Sequence, residues 1–249
     1  MKFLQKFVAY ILLGFSLFAC GASSQELTEK ARKAMQEQRF EEAILLLNKA
    51  IEKNEKNADA FNARGVALFE LGKYNDAMLD YQQAIQLNPQ NYKPYFNRAE
   101  LYRSLKQRED ALKDYEQAIK LAPDVADLYL NRGVLFYEKE KIEEAIADFK
   151  KAVQLAPNNK NAFLNLGNIL FEKGSDEALR EALDAYNKVI ELDSKADKTY
   201  FNMAQIFLRF NTPDIACQHL QKAGDLGNED AKKLQKEVCL DKNAETPKK

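Results

Sequence analysis

Few side chains in this sequence are of the types that catalyse reactions or bind metal ions. The 249 residues include three cysteines and one histidine, which are Cys20, Cys217, Cys239 and His219. No cluster of His, Cys, Asp and Glu has the spacing of a metal site, and no glycine-rich phosphate loop or nucleophile motif is present. The carboxylates are spread along the chain. The sequence therefore predicts a protein that is not an enzyme and needs no cofactor and no metal.

Two rows of opposite charge recur at a fixed interval. The pairs are Arg64 with Asp80, Arg98 with Asp114, and Arg132 with Asp148. At the next two equivalent places both members change together, to Leu166 with Ala185 and to Met203 with His219. This joint presence and loss predicts ion pairs that hold helices together, because a buried arginine without a partner is costly. The alternative is a row of arginines that binds the carboxylates of a partner.

The segments that carry these residues repeat with a period of 34. Prolines 34 residues apart (Pro89, Pro123, Pro157) accompany small residues (Ala77, Ala111, Ala145) and aromatic residues (Tyr81, Tyr115, Phe149) at the same step. Such a period is typical of stacked helix–turn–helix repeats, in which each proline ends a second helix. The pattern resembles the tetratricopeptide repeat (TPR) family.

The resemblance implies an all-α fold, a right-handed superhelical solenoid of six TPR helix–turn–helix repeats with a C-terminal capping helix. Steps of 34 place the repeats at 24–57, 58–91, 92–125, 126–159, 160–196 and 197–230. The fifth repeat is longer by three residues, with an insertion near Ser175–Glu177 expected between its two helices. We expect the capping helix at 229–240 and a disordered tail at 241–249. Thr212 is expected to cap the helix that Pro213 opens.

A second row of residues lies on the first helix of each repeat. With positions numbered 1 to 34, position 6 is asparagine and position 5 is apolar in four successive repeats. The resemblance implies that this side lines a concave groove, where asparagines suit the backbone of an extended peptide and apolar neighbours form side-chain pockets. The alternative is that asparagine is simply common at position 6 in this family and that position 5 packs against the next first helix. Aromatic residues at position 12 favour a binding groove. The candidate groove residues are Phe96, Asn97, Leu130, Asn131, Leu164, Asn165, Phe201, Asn202 and Tyr137.

The N-terminus has the pattern of an export signal. Lys2 and Lys6 precede an apolar run, 7–18, that is too short for a membrane span. Residues 17–20 resemble a bacterial lipobox, which implies cleavage after Ala19 and lipidation of Cys20; an ordinary signal with an incidental cysteine is the alternative. We expect a signal peptide at 1–19, a lipidated N-terminus and short linker at 20–23, and a lipid anchor. By resemblance to lipoprotein sorting rules, Gly21 is not the aspartate that retains proteins at the inner membrane, so an outer-membrane location facing the periplasm is expected, with a surface-exposed location as the alternative.

The net charge and the cysteines limit which partners and which disulfide we expect. Removing residues 1–19 leaves 35 basic and 38 acidic residues, a net charge of −3, without a large block of one sign. Nucleic acid is therefore not an expected partner. In an exported protein Cys217 and Cys239 can form a disulfide between the sixth repeat and the cap; two free thiols are the alternative.

The predicted function is that of a non-catalytic envelope lipoprotein, a scaffold or adaptor that binds a protein or an extended peptide in its groove. Lipoproteins of similar plan serve in assembly of a secretin, of an outer-membrane barrel or of a cell-wall hydrolase complex. The alternative is a periplasmic carrier or sensor that binds a peptidoglycan or glycan ligand.

Overall fold

Helices account for all the regular secondary structure in the computed structural model, which describes residues 22–239. The all-α class is therefore confirmed. The helices are α1 (Ser24–Gln36), α2 (Phe40–Lys53), α3 (Ala58–Glu70), α4 (Tyr74–Leu87), α5 (Tyr92–Ser104), α6 (Arg108–Leu121), α7 (Ala126–Glu138), α8 (Ile142–Leu155), α9 (Lys160–Lys173), α10 (Asp176–Leu192), α11 (Asp197–Arg209), α12 (Pro213–Asp225) and α13 (Glu229–Cys239).

The first twelve helices pack as six consecutive pairs, and α13 packs on α12. We number the pairs as repeats one to six. Several first helices begin at an asparagine whose side chain accepts a hydrogen bond from a backbone amide of the first turn, as Asn57 does from Ala60 at 3.0 Å and Asn159 from Ala162 at 3.2 Å. Such caps satisfy amide groups that the helix leaves open. Second helices end just before the periodic prolines, as α4 does at Leu87.

The turn inside each pair contains one residue in the left-handed region of backbone conformation. This residue always occupies position 15, and its φ lies between 54° and 71°. The six residues are Gln38, Gly72, Lys106, Glu140, Gly174 and Asn211. Four of them carry a side chain in a conformation that favours glycine.

Small residues lie where the two helices of a pair approach each other. A Cβ atom added at Gly65 would lie 2.6 Å from the Tyr81 ring, and one added at Gly167 would lie 2.6 Å from the Tyr186 ring. The aromatic ring of the second helix therefore fills the space that a side chain at position 8 would need, and this explains why small residues recur there.

The described chain divides between Ala122 and Pro123 into two compact units. The first unit holds α1 to α6. Its buried side chains include Leu27, Leu47 and Tyr81. The second unit holds α7 to α13, with the larger buried residues Leu179 and Tyr186 in its main core. A smaller cluster around Ala216 and Leu220 packs against α13 through Ala231.

Repeat five differs from its expected arrangement. The three additional residues lengthen its second helix to 17 residues, whereas the other second helices have 13 or 14. Gly174 ends α9 in a left-handed conformation, and Ser175 caps α10 through the Ala178 amide at 3.2 Å. Asp176 and Glu177 therefore lie in the first turn of α10, where acidic side chains favour the helix N-terminus. The insertion extends a helix and not the turn.

Thr212 also differs from its expected role. Its side chain makes no capping hydrogen bond to α12, and its hydroxyl donates to the carbonyl oxygen of Phe207 at 2.8 Å. Pro213 still opens the helix, because its fixed φ suits the first turn.

Several predictions concern residues outside the described range. They are the signal peptide at 1–19, lipidation of Cys20, and the tail at 241–249. Within residues 22–239, no helix is both long and apolar enough to cross a membrane. Ser23, in the expected linker, already caps α1 by accepting a hydrogen bond from Glu26 at 3.2 Å.

Candidate functional site

The candidate groove residues lie on the first helices of repeats three to six, and all but one are partly buried. Tyr137 is the exception, with 44% of its surface exposed. In the first unit, Asn97 of α5 donates to the side-chain oxygen of Asn62 of α3 at 2.9 Å. The ring of Phe96 lies 6.1 Å from that of Tyr115. Here an inner asparagine links two neighbouring first helices.

The three asparagines of the second unit have different environments. Asn131 donates to the backbone carbonyl of Asp127 in its own helix at 2.8 Å. Asn165 makes no side-chain hydrogen bond to any residue in the described part of the chain. Asn202 donates to the Tyr186 hydroxyl at 3.2 Å. The asparagines therefore do not share one hydrogen-bonding arrangement, and Asn165 keeps its carboxamide available.

A polar cluster lies between α9 and α11. The Tyr186 hydroxyl donates to the side-chain oxygen of Asn168 at 2.9 Å, and Asn202 is 3.4 Å from the same oxygen. Burial raises the pKa of Tyr186 to about 12, so its hydroxyl stays a hydrogen-bond donor at neutral pH. The cluster holds the side chains of Asn168 and Asn202 in fixed positions. Asn168 is exposed.

These amides line a concavity of about 490 Å³ in repeats five and six. Its apolar walls are Leu164 of α9 and Phe201 of α11, with Val189 behind them. We call it the inner-face pocket. Amide groups beside apolar walls can bind an extended peptide, since the amides pair with its backbone and the walls accept its side chains.

Charged residues form the rim of the inner-face pocket. Lys160 donates to the carboxylate of Asp193 at 2.8 Å, and this hydrogen bond lowers the pKa of Asp193. Asp197 accepts a hydrogen bond from Asn228 at 3.0 Å. Lys195 and Lys198 also line the rim, and neither forms an ion pair within residues 22–239. The rim thus carries lysines and carboxylates side by side, and the charge of Lys195 also contributes to the lowered pKa of Asp193.

Tyr137 presents an aromatic surface on repeat four. Its hydroxyl donates to the carboxylate of Glu172 at 2.8 Å, and this hydrogen bond raises the pKa of Tyr137. The contact joins α7 to α9 within the second unit. It orients the ring while leaving much of it accessible to a partner.

The predicted arginine–aspartate pairs are in contact in all three repeats. Arg64 donates two hydrogen bonds of 2.7 Å to Asp80. The corresponding distances are 2.7 and 2.9 Å for Arg98 with Asp114, and 2.7 and 2.8 Å for Arg132 with Asp148. Each pair joins the two helices of one repeat.

The surroundings of these pairs suit a structural role. Arg64 also donates to Asn48 of the preceding repeat at 2.8 Å, and the hydrogen bonds from Arg64 to Asp80 raise the pKa of the arginine. Aromatic rings of the same helix flank each guanidinium, 5.4 Å away for Phe61 and Arg64. A partner carboxylate would have to compete with an aspartate already held in a two-bond geometry.

Cys217 of α12 and Cys239 of α13 are joined by a disulfide. The bond ties the last helix to repeat six. His219, the one histidine, lies on α12 with its ring centre 6.0 Å from that of Tyr200 and 5.1 Å from that of Phe207. Burial lowers the pKa of His219, which keeps it neutral. In the part of the chain that the structure describes, no three His, Cys, Asp or Glu residues form a group that could hold a metal ion.

The sequence did not indicate two polar contacts near the groove. Tyr186 occupies an aromatic core position, and its hydroxyl reaches the inner face to contact Asn168. Tyr115 occupies the same position in repeat three, and its hydroxyl donates to the carboxylate of Glu100. The available signal was the combination of tyrosine at position 24 with a polar residue at position 9, which occurs in repeats three and five.

Family comparisons identify the repeats by sequence. A model described as "TPR repeat" matches residues 32–72, 99–140 and 135–174. Two models described as "Tetratricopeptide repeat" match residues 58–91 and 80–113. Together these matches extend without a gap from 32 to 174. No curated protein sequence matches the chain.

Solved structures share the fold at low sequence identity. PilF of Pseudomonas aeruginosa has a TM-score of 0.73 at 19% identity, covering 86% of this chain and 97% of its own. YrrB, described as a TPR protein with an unusual peptide-binding site, has a TM-score of 0.65 at 22% identity, covering 76% and 97%. A thermophilic TPR protein of Thermus thermophilus, TTC0263, has a TM-score of 0.58 at 22% identity, covering 75% and 100%.

Proposed function

The chain belongs to the tetratricopeptide-repeat family, and we propose that it is a non-catalytic scaffold that binds a protein partner through the inner-face pocket. The observation that carries this proposal is the pairing of fixed amides, Asn168 and Asn202, with the apolar walls Leu164 and Phe201. An extended segment of a partner would pair its backbone with the amides and place a side chain between the walls. The peptide-binding site named for YrrB supports a peptide ligand.

The proposal extends to the cell envelope. The N-terminal pattern at 1–20 supports export and lipidation of Cys20, and the disulfide between Cys217 and Cys239 supports an oxidising compartment, where such bonds persist. We place the protein at the outer membrane facing the periplasm. There it would act as an adaptor in the assembly of an envelope machine such as a secretin, an outer-membrane barrel or a cell-wall hydrolase complex.

Site-specific crosslinking in the protein's own cells tests the site and identifies the partner. A photoreactive residue at Phe201 is expected to capture one protein, whereas the same residue at the exposed Asn187 of α10 should not. Asn202→Ala is expected to weaken co-purification of that protein about fivefold, the cost of about one hydrogen bond. Asn187→Ala is the matched control.

The same variants separate the scaffold from a glycan carrier. If Asn202→Ala leaves protein capture unchanged but abolishes binding of purified muropeptides, the ligand is a glycan and the scaffold proposal is wrong. If photoreactive groups at Phe201 and Asn187 capture the same proteins, the inner-face pocket is not the binding site.

A further inference from the structure

Repeats two to four share an arrangement of arginine, aromatic ring and aspartate beside the crossing of their two helices. In each, the arginine at position 7 lies near the aromatic ring at position 4. The distance from the guanidinium carbon to the ring centre is 5.4 Å for Arg64 and Phe61. It is 6.0 Å for Arg98 and Tyr95, and 5.8 Å for Arg132 and Tyr129. Each arginine also donates two hydrogen bonds to the aspartate of the second helix.

Repeat five keeps the ring but lacks the ion pair. Phe163 occupies the aromatic position, while Leu166 and Ala185 replace the arginine and the aspartate. A concavity of about 270 Å³ lies at this place, with Phe163, Leu166, Leu170 and Ala185 as its walls. Glu181, Asp184 and Lys188 stand at its mouth. We call it the repeat-five socket. In repeat two a concavity of about 310 Å³ lies at the equivalent positions, and that repeat's own Arg64 and Asp80 line it.

The charges at the mouth leave one anion available. Glu181 forms an ion pair with Lys150 of α8 at 2.5 Å, and Lys188 pairs with Glu191 at 2.6 Å. Asp184 is exposed and forms no ion pair with any residue between 22 and 239. An apolar concavity with one unpaired carboxylate at its mouth favours a ligand with an apolar stem and a cationic head.

Repeat six has a different pair of residues at this place. Met203 and His219 occupy the positions of the arginine and the aspartate, and the imidazole ring lies 5.1 Å from the ring of Phe207. Met203 is buried. Repeat six thus carries a buried thioether and an imidazole here, whereas repeat five has the small Ala185 beside its concavity.

We propose that the repeat-five socket binds an arginine side chain of a protein partner. The methylene stem would contact Leu166 and Leu170, and the guanidinium would lie over Phe163 and pair with Asp184. Arginine is favoured over lysine because its planar group stacks on rings and donates two parallel hydrogen bonds. The socket shares no residue with the inner-face pocket, so this inference does not depend on the proposed function.

The test is an NMR titration of the full chain with N-acetyl-arginine amide. The methyl signals of Leu166, Leu170 and Ala185 are expected to shift saturably with a Kd in the millimolar range. The corresponding lysine and leucine amides should bind at least about threefold more weakly, because neither can both stack and form the two-bond pair. Absence of a shift, or equal binding of the leucine amide, would overturn the proposal.

Two variants sharpen the titration. L166R/A185D installs the pair that three other repeats contain, so its own guanidinium should lie over Phe163 and abolish the saturable shift at Leu170. Asp184→Asn should weaken arginine binding about threefold, while Asp176→Asn, exposed on the same helix, should not. Because Asp184 is a surface residue, this variant decides the matter even if L166R/A185D fails to fold. Unchanged binding in Asp184→Asn would contradict the proposed contact.

Discussion

Each arginine–aspartate pair places a nearly buried carboxylate under a partly exposed guanidinium. In repeat three the side chain of Asp114 is 9% exposed and that of Arg98 is 18% exposed. Water therefore reaches the arginine more readily than the aspartate. Loss of the aspartate would leave the cation among aromatic rings without its anion, and a partly buried charge without a partner is strongly destabilising.

Asp114→Ala is accordingly expected to lower the free energy of unfolding by about 3 kcal/mol or more. The matched control is Asp110→Ala in the same helix, whose carboxylate pairs with the exposed Lys113 at 3.1 Å. That variant should have an effect several-fold smaller, because exposed ion pairs contribute little. Urea denaturation followed by circular dichroism measures both. Equal effects of the two variants would favour arginines that serve a ligand.

Because Tyr186 is buried, we expect the stability of the protein to fall at alkaline pH. Burial raises its pKa to about 12, whereas the unfolded chain releases the proton near pH 10. The stabilisation is therefore complete below pH 10 and is lost as pH rises towards 12, by about 3 kcal/mol in total. Tyr186→Phe removes this titration, at the cost of the hydrogen bonds with Asn168 and Asn202.

Urea denaturation at pH 8 and at pH 11.5 tests this expectation. Wild type should be the more stable of the two proteins at pH 8 by about 1 kcal/mol. Tyr186→Phe should equal or exceed it at pH 11.5, because only the wild type carries the phenol that titrates. A difference between the two proteins that stays constant with pH would show that Tyr186 does not titrate on unfolding.

For individual residues, the sequence indicates a contact when two residue types are present together in some repeats and absent together from others. Arg98 and Asp114 follow this pattern across repeats, and they are in contact. The contact between Tyr186 and Asn168 has a weaker signal, tyrosine at position 24 with a polar residue at position 9, because the tyrosine also satisfies the aromatic pattern of the core. Its ring packs against Gly167, and its hydroxyl extends beyond that contact to Asn168.

Among the secondary-structure elements, the turn between paired helices requires a residue with a positive φ, and only some repeats place glycine there. Position 15 has a positive φ in every repeat, yet Gly72 and Gly174 are the only glycines there. A side chain in this conformation costs about 1–2 kcal/mol relative to glycine. The turns with Lys106 and Glu140 therefore carry strain that the packing of α5 to α8 within their own pairs must offset.

A reciprocal exchange tests this strain. Lys106→Gly should raise the free energy of unfolding by up to about 1 kcal/mol, and Gly72→Lys should lower it by about 1–2 kcal/mol. Space is not the limiting factor, since a Cβ atom at Gly72 would meet no atom within 4 Å. Thermal denaturation of both variants gives the signs. Changes of the same sign would mean that side-chain contacts dominate the backbone conformation.

The cap is held by two kinds of contact. Ala231 is buried against repeat six, and the disulfide closes a 22-residue separation between Cys217 and Cys239. Closing a loop of this size stabilises a protein by about 3 kcal/mol. Cys217→Ser with Cys239→Ser should therefore speed amide exchange in α13, while the core of α9 and α10 keeps its protection.

Wild-type protein treated with a reducing agent provides the control for this measurement. It should show the same local loss of protection as the double serine variant, because both lack only the cross-link. Faster exchange throughout the second unit, or none in α13, would contradict a disulfide whose role is to hold the cap.

Packing explains why the sequence predicted the elements well but misplaced one insertion. The main helix–helix contacts join helices no more than two apart in the chain, so a local period contains most of the information. The three additional residues of repeat five break that period without showing where they go. Ser175 caps the start of α10, and Asp176 and Glu177 therefore belong to the first turn of that helix.

For the molecule as a whole, the predicted lipid on Cys20 would lie close in the chain to the first helix. Ser23 forms a capping box with Glu26 at the start of α1, and the backbone amide of Ser23 donates to the Glu26 carboxylate at 2.8 Å. Ser23 lies three positions after Cys20, with two residues between them, and three steps of extended chain span at most about 10 Å. A lipid on Cys20 would therefore hold repeat one close to the bilayer surface.

Cys20→Ser tests this anchoring in cells. Wild type is expected in the membrane fraction, because two or more acyl chains give stable binding whereas one chain gives marginal binding. The variant should lose lipid modification, and it should either accumulate unprocessed or leave the membrane. Metabolic labelling with palmitate and fractionation measure the two effects, and the double serine variant at Cys217 and Cys239 should retain label and membrane binding. A Cys20→Ser protein that is still cleaved after Ala19 and still recovered with membranes would show that the lipid is not the anchor.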